Sequence, residues 1–182
     1  MKQLEHITPT IGISACLLGD LVRYDGAHRR NSWLVEHLGP SVTWVKVCPE
    51  VEIGLGVPRE RIRLVHLGAS TRLVGEQSGT DLTDAMARLA ASRFAELDSA
   101  PLDGYILKTR SPSCGLTNVK RFGSQDASAP LDRGGRGRFA VALVERFPGL
   151  PVIEDHELEH DSGRSRFVDA VVAYWGTHGS GA

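Results

Sequence analysis

The sequence predicts an α/β chain in which a mostly parallel sheet carries helices on both faces. Two observations lead there. Short apolar, β-branched runs alternate with longer segments of helical periodicity, the order that builds a parallel sheet through crossover connections. Three of those runs also break off at turn-rich segments that carry a cysteine, as loops at the carboxyl ends of parallel strands do. Together they indicate the doubly wound, Rossmann- or flavodoxin-like class.

Ile11-Gly-Ile-Ser14 is a short apolar stretch that stops at Cys16 and the loop from Gly19 to Gly26, and it reads as the first buried strand. From His28 to Leu38, Trp33, Leu34 and Leu38 recur at helical spacing before the stop signal Gly39-Pro40, which predicts a first helix. Val42 to Val47 is the second strand, ended by Cys48-Pro49 because proline has no backbone N–H to offer a sheet. Two β-like runs between Ile62 and Leu73 flank Gly68-Ala-Ser and predict a hairpin. A helical pattern opens at Thr80 and runs through Leu82, Met86, Leu89 and Phe94, its start favoured by Asp81 and Asp84.

Gly104 to Lys108 is the third buried strand, and it leads into Ser111-Pro-Ser-Cys-Gly115. Gly123 to Gly137 is polar and glycine-rich, which predicts a loop or mobile lid. Phe139 to Phe147 is helical and closed by Pro148-Gly149, and Leu150 to Ile153 is a last strand. A terminal helix spans Asp161 to Trp175, with Phe167, Val168, Val171 and Trp175 on one stripe, and His178 to Ala182 is expected to fray. The expected organisation is one domain over 11–176 with tails at 1–10 and 177–182.

The 182 residues, 41% of them hydrophobic, suffice to enclose one core. A formal net charge of -1 excludes a uniformly basic nucleic-acid binder, so an anionic substrate must be met by a local cluster of cations. MKQLEHITPT lacks the pattern of a secretory signal, and no run of apolar residues is long enough to span a membrane, so a cytoplasmic protein is expected. In that compartment three cysteines, an odd number, remain available as ligands or nucleophiles, unless they are simply buried and inert.

If Cys16, Cys48 and Cys114 converge beyond the strand ends, their soft thiolates select zinc, copper(I) or an iron-sulfur cluster. Zinc ribbons show a local Cys-x-x-Cys hairpin, absent here, although a Cys3His site using His28, His37 or His66 satisfies zinc formally. Three thiolates on a 4Fe-4S cluster leave one iron open, as catalytic metal centres require. An electron-transfer or structural cluster satisfies the same count, so the neighbours must discriminate. Glu50, two residues past Cys48, is placed to carry a proton or activate water, against the common alternative of a solvated glutamate.

Ser111, three residues before Cys114 and restrained by Pro112, either aims its hydroxyl at a ligand or only bonds backbone. Asp25-Gly26 is a substrate contact or a plain turn. Arg23, His28, Arg29, Arg30, Lys108 and Arg110 flank the cysteine loops and suit a phosphate, or form a solvated basic face. The sequence has no G-x-x-x-x-G-K-[ST], no G-x-G-x-x-G after the first strand and no G-x-S-x-G. These absences disfavour nucleotide-dependent dehydrogenases, ATPases and serine hydrolases.

Taken together, Ile11-Gly-Ile-Ser-Ala-Cys-Leu-Leu-Gly19, Val22-Arg-Tyr-Asp-Gly26, Cys48-Pro-Glu-Val51 with Gly54-Leu55 and Pro58-Arg59, and Ser111-Pro-Ser-Cys-Gly115 resemble the thiouracil desulfidase family. The resemblance runs from about Ile11 to Ile153. It implies that Cys16, Cys48 and Cys114 hold a 4Fe-4S cluster and that Glu50 and Ser111 are a catalytic pair. In the family, the open iron takes the sulfur of a thiolated pyrimidine and water attacks the ring carbon, giving uracil and hydrogen sulfide without net electron transfer.

Some members carry a further carboxy-terminal domain associated with 4-thiouridine in transfer RNA. This chain ends before such an addition, so a free 2- or 4-thiouracil, 4-thiouridine or its monophosphate is expected ahead of intact RNA. Asp25, Arg23, His28 and Lys108 are the expected substrate contacts. The competing reading is an iron-sulfur sensor or thiolated-tRNA-binding accessory without turnover, against which near-neutral charge and 6% aromatic residues argue.

Overall fold

The computed structural model describes residues 4, 6–68, 70–99 and 101–178. In chain order these form β1 (Thr10–Ser14), β2 (Thr43–Val47), the single turn α1 (Pro49–Glu52), β3 (Ile62–Leu67), β4 (Ser70–Gly75), α2 (Thr83–Ser99) and β5 (Gly104–Leu107). They continue with β6 (Val119–Phe122), β7 (Asp132–Gly135), α3 (Arg138–Arg146), β8 (Val152–Glu154) and α4 (Asp161–His178). Short 3-10 turns follow β1 and β8. Among the described residues no helix is long and apolar enough to cross a membrane.

Four strands, in the order β2-β1-β5-β8, pair in parallel, as the alternation of apolar runs and helices predicts. Their burial on both sides explains why Tyr105, Ile106 and Leu107 are all enclosed. One face carries Val47, Tyr105 and Leu107 against Met86 and Phe94 of α2 and Phe139 and Leu143 of α3. Phe94 sits 5.3 Å from Phe139 and 5.5 Å, edge-on, from Phe147. The other face carries Ile11, Ile13, Ile106 and Ile153 against Leu34, Leu38 and the α4 residues Phe167, Val168 and Val171. Gly12 lies under the Tyr105 ring, where even a methyl group would collide.

The predicted first helix is shorter than expected. Only Trp33–Leu38 is helical, wound as a π-helix, and Gly39–Ser41 continues it as a 3-10 turn that accommodates Pro40. Residues 28–31 form an irregular segment instead. The amides of Arg29 and Asn31 donate to the carbonyls of Cys16 and Leu17 at 2.8 and 2.9 Å, and the Asn31 side chain accepts from the Leu34 amide. That segment therefore braces the first cysteine loop.

A second sheet, in the order β4-β3-β6-β7, was not expected. Its β3–β4 pair is the predicted antiparallel hairpin, although residue 69 of the expected turn lies outside the described residues. β3 runs parallel to β6, and β6 antiparallel to β7. The expectation of a loop or lid over Gly123 to Gly137 is corrected at Asp132–Gly135, which is strand. Pairing with β6 imposes it: Asp132 grips Arg121 at 2.8 and 2.7 Å, and Gly135 lets Arg121 and the Val119 carbonyl approach closely. The segment before it is tied down by Arg63, whose guanidinium donates to the carbonyls of Gln125 and Ala127 at 2.9 Å each. Of the tail from His178 to Ala182 that was expected to fray, His178 is the last residue of α4, and residues 179–182 lie outside the described residues.

Candidate active site at the carboxyl edge of the parallel sheet

Registers Ser14↔Val47, Ile13↔Ile106 and Leu107↔Glu154 bring the carboxyl ends of the four parallel strands level. The segments that leave this edge carry the chemistry. Cys16 sits in the 3-10 turn after β1, Cys48 caps α1 directly after β2, and Cys114 lies in the loop after β5. All three line one cavity of about 320 Å³, together with Glu50, Ser111, Arg23 and Lys108. Asp25 and His28 are not among its lining residues. The Asp25 carboxylate accepts from the Ala27 amide and pairs with Arg23 at 3.3 Å, while His28 Nδ1 accepts from the Arg30 amide.

The thiols are free and unpaired by disulfide. Burial, then the charge of neighbouring Cys48, pushes the Cys16 thiol up to about 11. Burial likewise raises Cys48, and it raises Cys114 well above the ordinary thiol value although a hydrogen bond with Ser14 opposes it. Three desolvated thiols, with Cys16 and Cys114 raised further by neighbouring cysteines, favour a cationic group that would bind them as thiolates. Among the described residues no three cysteine, histidine or acidic side chains are gathered as ligands of one metal ion. Soft donors spread over the wall of a shared cavity fit a cluster, whose separate irons each take one thiolate.

Glu50 is held on both oxygens. Arg59 donates to Oε2 through Nε at 3.1 Å and Nη2 at 2.8 Å, and the Ser113 hydroxyl donates to Oε1 at 2.7 Å. The same guanidinium also donates to the carbonyls of Gly56 and Val22 at 2.9 Å, and Val22 receives the Cys48 thiol at 3.6 Å as well. With side-chain exposures of 4% and 16%, the Arg59–Glu50 pair is largely shielded from water. Ser111 Oγ accepts from the amides of Ser113 at 3.2 Å and Cys114 at 3.1 Å. Those two bonds use both lone pairs, which leaves the O–H of Ser111 as its one free function, a donor. The backbone-bonding role and an aimed hydroxyl thus coexist in one side chain.

The end of β8 fixes the Cys114 loop. Glu154, 1% exposed, accepts from the Leu116 amide at 2.9 Å and the Thr117 hydroxyl at 2.5 Å. Asp155 accepts from Lys108 Nζ at 3.0 and 2.8 Å and from the Thr109 amide at 2.7 Å. Ser14, buried at the end of β1, accepts from the Lys108 amide at 3.0 Å. Sequence reasoning missed Ser14, Arg59, Ser113, Glu154 and Asp155 as parts of the site. The rule that ligands sit beyond strand ends was the available signal for Glu154 and Asp155, which directly follow the last predicted strand. Ser113 and Arg59 carried no local signal of a shared partner. Tyr24 and Arg61 also line the cavity, with the Arg61 guanidinium 4.7 Å over the Tyr24 ring.

Comparison with known proteins supplies the family. The protein is 31% identical over 109 residues to "Uncharacterized protein YbbK" of Bacillus subtilis (strain 168), covering 57% of this chain and 71% of that protein. It is similar to a solved structure of a 4Fe-4S-dependent thiouracil desulfidase, TudS, with a TM-score of 0.63 and 29% identity over 84% of this chain and 94% of that one. A family model described as 2-thiouracil desulfurase matches residues 11–155, a span that holds all three cysteines, Glu50 and Ser111. The chain therefore belongs to the 2-thiouracil desulfurase family.

Proposed function

We propose that this protein is a non-redox desulfidase that removes sulfur from a small thiolated pyrimidine and releases a uracil-type product and hydrogen sulfide. The observation that carries the proposal is the gathering of Cys16, Cys48, Cys114, Glu50 and Ser111 around one cavity at the sheet's carboxyl edge. Cys16, Cys48 and Cys114 would hold a 4Fe-4S cluster. Bound there, it supplies an open iron, a Lewis acid that draws density from the thiocarbonyl carbon and makes sulfide a workable leaving group.

The chain's own residues divide the remaining work. Glu50, in the grip of the Arg59 guanidinium, accepts the proton of the attacking water. Ser111, whose oxygen is already committed to two amides, donates its O–H to the ring and holds its carbon in reach of attack. Arg23 and Lys108 line the same cavity and are held by Asp25 and Asp155, so they border the pyrimidine rather than bind a free anion.

A second cleft of about 360 Å³ adjoins through Arg110, Ile62 and Pro112, and it adds Lys120 and Arg133. Among the described residues no ion pair ties Arg110, Lys120 or Arg133 to a carboxylate. This placement favours a thiolated nucleoside monophosphate, with its base in the inner cavity and its phosphate toward Arg110.

Protein reconstituted with iron and sulfide under anaerobic conditions is expected to release sulfide from 4-thiouracil compounds with no added reductant. Glu50→Gln and Ser111→Ala are each expected to lower turnover by roughly 100-fold or more, the scale of a lost proton-transfer group. Loaded protein inert toward thiobases, nucleosides and nucleotides, or full activity in both variants, would end this reading. Tight binding of thiolated tRNA without sulfide release would establish the accessory role instead.

A further inference from the structure

Glu50 has four acceptor positions as a carboxylate, and three are filled from within the protein. Arg59 Nε and Nη2 occupy both positions of Oε2, and Ser113 Oγ occupies one of Oε1. Ser113 is fully buried, and Glu50 is the acceptor of its hydroxyl. Its carbonyl is fixed in turn by the amides of Phe139 and Ala140 at 3.0 and 3.1 Å, the first turn of α3. The Ser113 hydroxyl is therefore set by a packed helix start, not by solvent.

Resting on the reading of Glu50 as the proton acceptor, we propose that Ser113 and Arg59 are positioning residues for it. They leave the carboxylate a single free acceptor position, the second lone pair of Oε1. A water that donates there loses its proton to Oε1 as its oxygen bonds to the ring carbon, and the carbon–sulfur π pair passes to sulfur. The loop that presents Cys114 thereby sets both reacting side chains: Ser111 through the amides of Ser113 and Cys114, and Glu50 through the Ser113 hydroxyl. Arg59 joins them to the first cysteine loop at the Val22 carbonyl. Misplacing the carboxylate should slow the chemical step while leaving the thiobase bound.

The test uses Ser113→Ala, Ser113→Thr, Arg59→Lys, Glu50→Gln and the double variant Glu50→Gln/Ser113→Ala in anaerobically loaded protein, each with its iron and sulfide content measured. Ser113→Ala is expected to lower kcat by roughly 10- to 100-fold, the scale of a hydrogen bond to a charged group, with KM and iron content within about twofold of the parent. Ser113→Thr should recover part of that loss. The double variant should be no slower than Glu50→Gln alone.

A second readout needs no turnover. In the unloaded protein, the effects of Ser113→Ala and Glu50→Gln on the unfolding midpoint should be non-additive, as for groups in contact. If Ser113→Ala fails to load, Arg59→Lys carries the same kcat test, because lysine keeps the charge without the paired donors. A fully loaded Ser113→Ala or Arg59→Lys protein with unchanged kcat, or a double variant slower still than Glu50→Gln, would overturn the proposal. Full activity of Glu50→Gln would instead remove the reading on which it rests.

Discussion

The inner cavity and the outer cleft are both rich in cations, but most of those in the cavity are paired with carboxylates and most of those in the cleft are not. Around the cavity, Arg59 is bound to Glu50, Lys108 to Asp155 and Arg23 to Asp25, each at 3.3 Å or less, while Arg61 donates to the Tyr24 hydroxyl and Arg110 is shared with the cleft. In the cleft of the second sheet, Arg110, Lys120 and Arg133 line open space, and the paired cation there, Arg63, is tied to Glu76 at 3.0 Å. Committed cations hold other groups in place and add little net charge. Uncommitted ones attract an anion. Under the proposed function, the first region would serve chemistry on a neutral ring, and the second would bind a charged substituent.

The sharpest way to break this contrast is at the ligands. Cys114→Ser is expected to abolish cluster loading and lower turnover by about 1,000-fold or more, because a hydroxyl is a poor substitute for a soft thiolate. Retained iron and activity in that variant would remove the inner cavity from the chemistry. Next in size is the clamp behind it. Glu154→Ala leaves the Leu116 amide and Thr117 hydroxyl without their acceptor. A loss of about 2 kcal/mol in denaturant unfolding is expected, with poorer loading through the loosened Cys114 loop.

The outer region should respond differently. Arg110→Ala is expected to raise KM about tenfold for a thiolated monophosphate while leaving the free thiobase unaffected, with a smaller gap in high salt. Equal effects on both substrates would place Arg110 in the chemistry and erase the distinction.

The smallest effect reads the inner cavity before loading. With its pKa pushed up to about 11, Cys16 at pH 8 is thiolate in only about one molecule in a thousand. Its alkylation rate should rise about tenfold per pH unit up to pH 10 and level off above 11. A plateau near pH 8 would show that burial does not govern this thiol.

Much of the fold was legible because its strands and helices announce themselves locally. The parallel strands are continuous apolar runs, and α2, α3 and α4 carry apolar residues at helical spacing. The segments that were misread lack a local period. Residues 28–31 are not helical because the amides of Arg29 and Asn31 reach Cys16 and Leu17, and Asp132–Gly135 is a strand because Val119–Phe122 pairs with it. The same holds within the site. The strand-end rule placed the cysteines at one edge and sequence proximity added Glu50 and Ser111, but the flanks of the cysteine loops also suggested Asp25 and His28, whose side chains bond within their own loop.

From sequence alone came the fold class, the three thiols at the strand ends and the family resemblance, since periodicity and short motifs are properties of neighbouring residues. Tertiary structure decided which charges are spent. Arg59 and Ser113 converge on Glu50 from different loops, Glu154 and Asp155 hold the loop after β5, and Arg110 keeps an uncommitted guanidinium between two cavities. A hydrogen bond or ion pair depends on distance in space, and the chain brings these groups within 3 Å only after both sheets are built.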